Sequence, residues 1–429
     1  MLRLLLVLFL AFTAIASAQQ SRSTLYMEGR YLKTPCGDTI ILRGVNKMNI
    51  WSGTTFGVEV MPEIRKTGAN VLRIVWLTDV SDANGSPANL DKVITACIDN
   101  KMIPMVELHD ATGDFSMLKR VADYWVRADV VAVLKKHERY LLINIANEAG
   151  DFTVSDATFK ANYTEIVSKM RATGVRAPFV IDAPSWGQNI DAILHTAMDL
   201  ISADPEKNLL FSLHAYWDPR YYPTPLELFA KKLDTSVMLG IPLIIGEFTG
   251  CFADDPNSDD PMWTAILPEC AKRNVGWLAW EWGPGNAKYD VSPPVPYYKM
   301  DITSDGKASS IKNGWANEAM MTNMYSIKNT SVTTDYILNG GKCITSAVDE
   351  KKHLPIASPN PVRDKLTITV AAGTRLSIID AIGSVVYETY VDRGAERIDV
   401  QCAGLPSGVY RVLQERGGVV SYEQVVVVH

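Results

Sequence analysis

From Ile40 to Trp280 the chain alternates short apolar runs with longer stretches in which apolar residues recur every three or four positions. The apolar runs are Ile40–Asn46, Asn70–Trp76, Met102–His109, Leu141–Glu148, Phe179–Ala183, Leu209–Tyr216, Leu243–Glu247 and Val275–Trp280. Such runs read as strands buried on both faces of a parallel sheet. Between them, helical spacing runs over Val60–Thr67, Leu90–Asn100, Phe115–Lys136 (one long helix or two short ones), Phe159–Thr173, Ile190–Ile201, Leu226–Leu239 and Pro261–Lys272. Gly68, Gly174 and Gly240 stand where helices stop. This is an α/β pattern and predicts a (β/α)8 TIM barrel. A doubly wound sheet is the alternative, but Arg43-Gly44-Val45-Asn46 offers no phosphate-binding glycine loop after the first strand. Tyr31 to Thr39 reads as an edge hairpin covering one end.

The texture changes near residue 331. Residues 331–354 are polar and irregular and read as a linker or a loose cap. Beyond them Leu366–Val370 and Leu376–Ile378 alternate with period two, and Gly383, Gly394, Gly408, Gly417 and Gly418 punctuate the rest. Residues 355–429 are therefore expected to form a small all-β sandwich. They hold no clustered ionisable pair, so no chemistry is assigned to them. At the other end, Arg3, the apolar run Leu4–Ile15 and Ala16-Ser17-Ala18 make residues 1–18 a signal peptide, leaving 19–330 for the barrel. The alternative is an uncleaved membrane anchor. The apolar run is short for that, and the small-residue cleavage site argues against it.

Composition narrows the functional classes. The chain has 429 residues, is 47% hydrophobic and 21% charged, and carries a net charge of −6. No basic run exists, so nucleic acid is not an expected partner. Export permits disulfides. Among the six cysteines, Cys251–Cys270 is the expected bridge, and Cys97, on an apolar helix face, is expected to be a buried thiol. The histidines and cysteines show no metal-binding spacing, and neither metal nor cofactor is expected.

The chemistry gathers where strands end. In a barrel of this kind the C-terminal strand ends form the active face. Polar residues at those ends are Asn46, Arg73, His109, Asn147, Glu148, His214, Tyr216, Glu247 and, with its indole, Trp280. Any one alone reads as a satisfied rim residue; the joint pattern points to a site. Glu148 and Glu247 each close an apolar strand, where a carboxylate is costly unless paired or used. Two carboxylates about 5–5.5 Å apart suit a retaining glycosidase, one as nucleophile and one as acid/base. Arg73 is placed to hold one glutamate ionised, while an apolar setting keeps the other protonated. Asn147 is expected to donate to a sugar 2-hydroxyl. Trp51, Trp76, Trp186, Trp217, Trp280 and Trp282 fall at or just after strand ends, with about half expected to serve sugar stacking and the others packing.

These motifs resemble glycoside hydrolase family 5. The matching residues are Arg43-Gly44-Val45-Asn46, Asn70-x-x-Arg73, Asn147-Glu148, His214-x-Tyr216, Ile245-Gly246-Glu247-Phe248 and Trp280. Glu107 to Gly113, Ile143 to Glu148 and Gly276 to Trp280 look like its bacterial β-mannanase branch. The resemblance covers about Gly29 to Trp315. It implies a monomeric, secreted or cell-surface enzyme that cleaves a β-1,4-linked polysaccharide with retention. Glu148 would be acid/base and Glu247 nucleophile. Arg73 and Tyr216 would steady the nucleophile, and His109, Asn147, His214, Trp280, Trp186 and Trp51 would meet the substrate. Three positions depart from the branch: Asn49 stands where a histidine is usual, Ala149 replaces an aromatic, and Glu281 replaces a small polar residue. Glu281 is expected to be a solvated loop residue, the alternative being a role in binding. Because these positions border the subsites, an endo-β-1,4-glucanase remains the alternative to a mannanase. A non-catalytic glycan-binding barrel is the reading from another class. The tail resembles the C-terminal sorting domain of type IX secretion substrates. It does so through Ser358-Pro359-Asn360-Pro361, Gly383 and Leu405 to Tyr410. That implies a secretion machinery as partner, the alternative being a carbohydrate-binding sandwich.

Overall fold

The computed structural model describes residues 22–78, 85–251, 261–286, 297–343, 357–358, 361–370, 373–380, 384–391, 396–416 and 419–429. The proposed signal peptide lies outside them. A small antiparallel sheet comes first: β1 (Tyr26–Glu28), β2 (Tyr31–Lys33) and β3 (Thr39–Ile40). Eight parallel strands then close into a barrel. They are β4 (Arg43–Lys47), β5 (Val71–Trp76), β6 (Ile103–Leu108), β7 (Leu142–Asn144), β8 (Phe179–Asp182), β9 (Leu209–His214), β10 (Leu243–Glu247) and β11 (Gly276–Ala279). The expected TIM barrel is present. Thr39 and Ile40 pair with β2, so the first barrel strand starts at Arg43, three residues later than the apolar run suggested.

Helices cover the barrel: Met61–Arg65, Pro87–Asp99, Leu118–Trp125, Ala128–His137, Asp156–Arg171, Ile190–Ala203, Pro225–Met238 and Met262–Arg273. The long Phe115–Lys136 pattern is thus two helices, broken at Val126–Arg127. Outward strand residues such as Leu72, Ile74, Ile143, Phe179, Ile181, Phe211 and Trp277 form the main core with these helices. The inward residues divide along the barrel axis. Val71, Ile103, Met105, Leu142, Val180, Leu210, Ile244 and Leu278 fill the lower interior with hydrocarbon. Two residues further along their strands stand Arg73, Glu107, Asn144, Asp182 and Ser212, all buried. Side chains alternate across a strand, so this period of two stacks a polar layer on an apolar one.

Two expectations are corrected here. Residues 331–343 are not linker: Tyr336 and Ile337, in a short helix over Asp335–Leu338, are buried in the lower core cluster. The disulfide is Cys36–Cys343, which joins the N-terminal sheet to that segment. Cys270 remains a buried thiol, so no Cys251–Cys270 bridge forms; Cys97 is a buried thiol as expected. No spacing rule reports that residues 307 apart meet in space.

The chain divides into two compact units, Met1–Ile344 and Thr345–His429. The second holds two antiparallel sheets. One is β12 (Ala357–Ser358), β13 (Lys365–Val370) and β16 (Glu396–Gln401); the other is β14 (Thr374–Ile379), β15 (Val385–Val391), β17 (Gly408–Arg416) and β18 (Val419–Val427). Leu366, Ile368, Leu376, Ile378, Tyr410 and Val412 are among its core residues.

Candidate active site

Arg73 on β5 organises the polar layer. Its Nη1 lies 2.6 Å from Glu247 Oε1 and 3.0 Å from Asn46 Oδ1. Nη2 donates to Asn144 Oδ1 at 2.7 Å, Asn147 Oδ1 at 2.8 Å and Asp182 Oδ2 at 3.1 Å. Nε donates to Asn144 Oδ1 at 3.0 Å, and Glu107 Oε1 lies 3.8 Å from Nη1. An isolated buried guanidinium would be strongly destabilising, and this set of acceptors compensates it. Burial disfavours the charge, but Glu107, Asp182 and Glu247 together hold the Arg73 pKa above its ordinary value.

Glu247 ends β10, and its second oxygen, Oε2, accepts the Tyr216 hydroxyl at 2.8 Å. Burial, then the charge of Glu247, raises the Tyr216 pKa, so the phenol keeps its proton. Glu148 lies four residues past the end of β7, with a left-handed φ of +47°. Its backbone N–H donates to Asp182 Oδ2 at 3.2 Å, and its Oε1 is 2.7 Å from His214 Nδ1. A carboxylate oxygen of Glu148, one of Glu247 and a His214 ring nitrogen all lie within 4.8 Å of one another. That is short enough for a cation to bridge, but the Arg73 guanidinium already supplies positive charge there.

The two glutamates differ in their partners: Arg73 and Tyr216 bond Glu247, and His214 bonds Glu148. Burial raises the Glu148 pKa; His214 pulls it down and the nearby Glu247 charge pushes it further up, with a net rise. Burial disfavours the His214 imidazolium, yet Glu247 and Asp182 hold its pKa up to about 10. Burial opposes the Asp182 charge as well, but His214 and Arg73 bring its pKa down to about 2.

A second group of residues is aromatic. His109 stacks near Trp280, with ring centroids 5.9 Å apart and planes at 21°, and Trp51 meets His109 edge-on at 5.6 Å. His109 Nδ1 is 2.8 Å from Glu107 Oε1. Burial lowers the His109 pKa, but Glu107 outweighs it and the net direction is up. Trp51 is 49% exposed. Trp186 is 39% exposed and stands apart from this stack, tilted 37° against the exposed Phe152 at 6.5 Å. Trp76, Trp217 and Trp282 are buried and serve packing.

The structure thus draws Arg73, Asn147, Glu148, His214, Tyr216 and Glu247 into one bonded network. It groups His109, Trp280 and Trp51 beside it, and it sets Trp186 at the flank. Two expectations change. His214 has no exposed surface, so it holds the glutamates rather than meets substrate. Asn147 Nδ2 donates one of its two amide hydrogens to Thr112 Oγ1 at 2.8 Å, and His109 Nε2 lies 3.4 Å from the same nitrogen. Glu281 is not solvated: it is fully buried, with Oε2 3.4 Å from Lys47 Nζ. Asp182, Glu107 and Asn144 were missed as site residues. The available signal was a polar side chain two positions after an apolar inward one, as in Val180-x-Asp182.

Comparison with known proteins agrees with this geometry. Residues 35–286 match the family model described as cellulase (glycosyl hydrolase family 5), and residues 358–428 match that of the secretion system C-terminal sorting domain. The chain is 31% identical over 301 residues to a mannan endo-1,4-beta-mannosidase of Salipaludibacillus agaradhaerens, covering 68% of this chain and 89% of that protein. The crystal structure of a beta-mannanase from Streptomyces thermolilacinus aligns with a TM-score of 0.63 at 29% identity, over 73% of this chain and 99% of that one. The same enzyme with mannohexaose aligns with a TM-score of 0.62 at 28% identity, over 75% of this chain and 99% of that one.

Proposed function

The chain belongs to the cellulase family, glycosyl hydrolase family 5, and from that premise we propose that it is an exported, retaining endo-β-1,4-mannanase. One observation carries the reading: two carboxylates from distant strand ends approach within 4.8 Å, one bonded to Arg73 and Tyr216 and the other to His214. That spacing suits double displacement, since an inverting pair needs about 6.5–9.5 Å to admit a water between them.

Glu148, its pKa raised by burial, is the general acid. It gives its proton to the glycosidic oxygen as the bond to the leaving sugar breaks. Glu247 attacks the anomeric carbon and forms a glycosyl ester. Arg73 and Tyr216 each hold one of its oxygens, which fixes the direction of attack. Glu148, now a carboxylate, takes a proton from water, and that water displaces Glu247 from the sugar. Trp280, beside His109, supplies a flat face for the sugar at the cleaved position, and Trp51 extends it. One chain carries every residue the proposed reaction uses, so the site is complete without a second copy.

The mannan specificity rests on the relatives above, a mannan endo-1,4-beta-mannosidase and a beta-mannanase. The sorting-domain match supports export, and no helix among the described residues is long and apolar enough to cross a membrane. The test is hydrolysis of β-1,4-mannan and of cellulose side by side, with the anomer of the first product followed by NMR. Release of β-anomeric manno-oligosaccharides is expected. Cleavage of cellulose alone would replace the substrate by a glucan, and first products of α configuration would exclude double displacement.

A further inference from the structure

Glu281 follows Trp280 directly and has no exposed surface. Its Oε2 is 3.4 Å from Lys47 Nζ, a side chain itself only 3% exposed, and accepts the Met48 backbone N–H at 3.2 Å. Its Oε1 is buried without a short hydrogen bond. Its backbone N–H reaches Met300 O at 3.3 Å, and Ile302 N–H returns to its carbonyl at 2.8 Å. Met48 and Met300 both pack in the small cluster that holds Trp280. Met48 O also accepts the Trp51 backbone N–H at 3.3 Å and the Ser52 hydroxyl at 2.7 Å. The Glu281 carboxylate is therefore bonded to the segment leading to Trp51, while its backbone, directly after Trp280, is bonded to Met300 and Ile302.

We propose that Glu281 is a positioning residue for the sugar-binding floor: its carboxylate ties the Met48–Trp51 segment to the strand end carrying Trp280, and the tie depends on its charge. The proposal rests on the reading of Trp280 and Trp51 as that floor. A small polar side chain at this position would not reach Lys47. The charged groups facing Glu281 are Lys47 from β4, Asp301 from the segment after Met300, and Lys312 at longer range. Burial raises the Glu281 pKa to about 7, with Lys47 opposing and Asp301 adding to the rise. Above that pH the ionised carboxylate binds Lys47 and the Met48 N–H most strongly. Below it the proton is shared toward Asp301 and the hold on Met48 loosens.

The experiment compares wild type, Glu281→Gln and the double variant Lys47→Met with Glu281→Gln on β-1,4-mannan across pH 6 to 8. The double variant removes the lysine charge that Glu281→Gln alone would leave buried and unpaired. In wild type, KM should fall as pH rises through about 7. In each folded variant KM should be about tenfold higher and flat with pH, with kcat within about threefold of wild type. Variants whose KM and pH profile overlay wild type overturn the proposal. So does a fall in kcat alone, which marks a merely smaller folded fraction. If wild type leaves mannan intact, the functional reading beneath it fails instead, and the two failures are distinct.

Discussion

His214 Nδ1 lies 2.7 Å from Glu148 Oε1, and the same nitrogen is 3.5 Å from Glu247 Oε2. One imidazole thus spans both carboxylates while Asp182, 3.4 Å from its Nε2, balances its charge. A small displacement of this ring reaches both proposed catalytic groups at once.

The pH profile should report that contact. Glu148 must carry a proton to act as acid, so activity is lost as pH rises through its elevated pKa. His214 pulls that pKa down against burial. Replacing His214 by Asn removes the pull, and the alkaline limb of kcat/KM should move to higher pH while the overall rate falls. A limb that stays in place or moves down would disconnect His214 from Glu148.

Azide separates the two glutamates by stereochemistry. Glu148→Ala should lose on the order of 10²–10⁴-fold in hydrolysis of mannan. With an activated aryl mannoside, azide should then give the β-mannosyl azide. Glu247→Ala with azide should give the α-azide, since single displacement inverts. Product NMR reads the anomer directly, and retained hydrolysis by Glu247→Ala would remove it as nucleophile.

Gly187 tests the placement of the imidazole. Its φ is +75°, and a Cβ there would stand 2.5 Å from His214 Cγ. Gly187 O also accepts the His214 backbone N–H at 2.8 Å. Gly187→Ala should therefore shift His214 and cost on the order of 10²-fold in kcat. A circular dichroism spectrum close to wild type would show that the loss is local.

The Cys36–Cys343 bridge closes a loop of 307 residues. Replacing both cysteines by Ser should lower unfolding stability by about 2–4 kcal/mol, chiefly by freeing the unfolded chain. Denaturant titration of the mature protein checks this, and activity of the folded fraction should be unchanged.

Much of the site was legible because a parallel barrel puts chemistry at one end of every strand. Glu148 and Glu247 stood out as carboxylates after hydrocarbon. What the sequence concealed was depth. Arg73 and His214 look like rim residues in a string of letters, yet the inward period of two sinks both beneath the glutamates. Glu281 looked solvated because it follows the last barrel strand, where loops usually meet water. Lys47, 234 residues away, draws it inside, and no local pattern reports that pairing. The cysteine bridge was hidden for the same reason, since it depends on the short helix at Asp335–Leu338 folding back on the lower core.

The guanidinium of Arg73 touches side chains from β4, β6, β8 and β10 as well as the two asparagines on and just past β7. None of those strands can slip by a residue without withdrawing one of those acceptors and leaving a less compensated cation in the interior. Competence for catalysis and correct closure of the cylinder are therefore a single event. A population of misregistered yet active molecules has no place in this design, and refolding followed by activity should keep pace with refolding followed by tertiary signal.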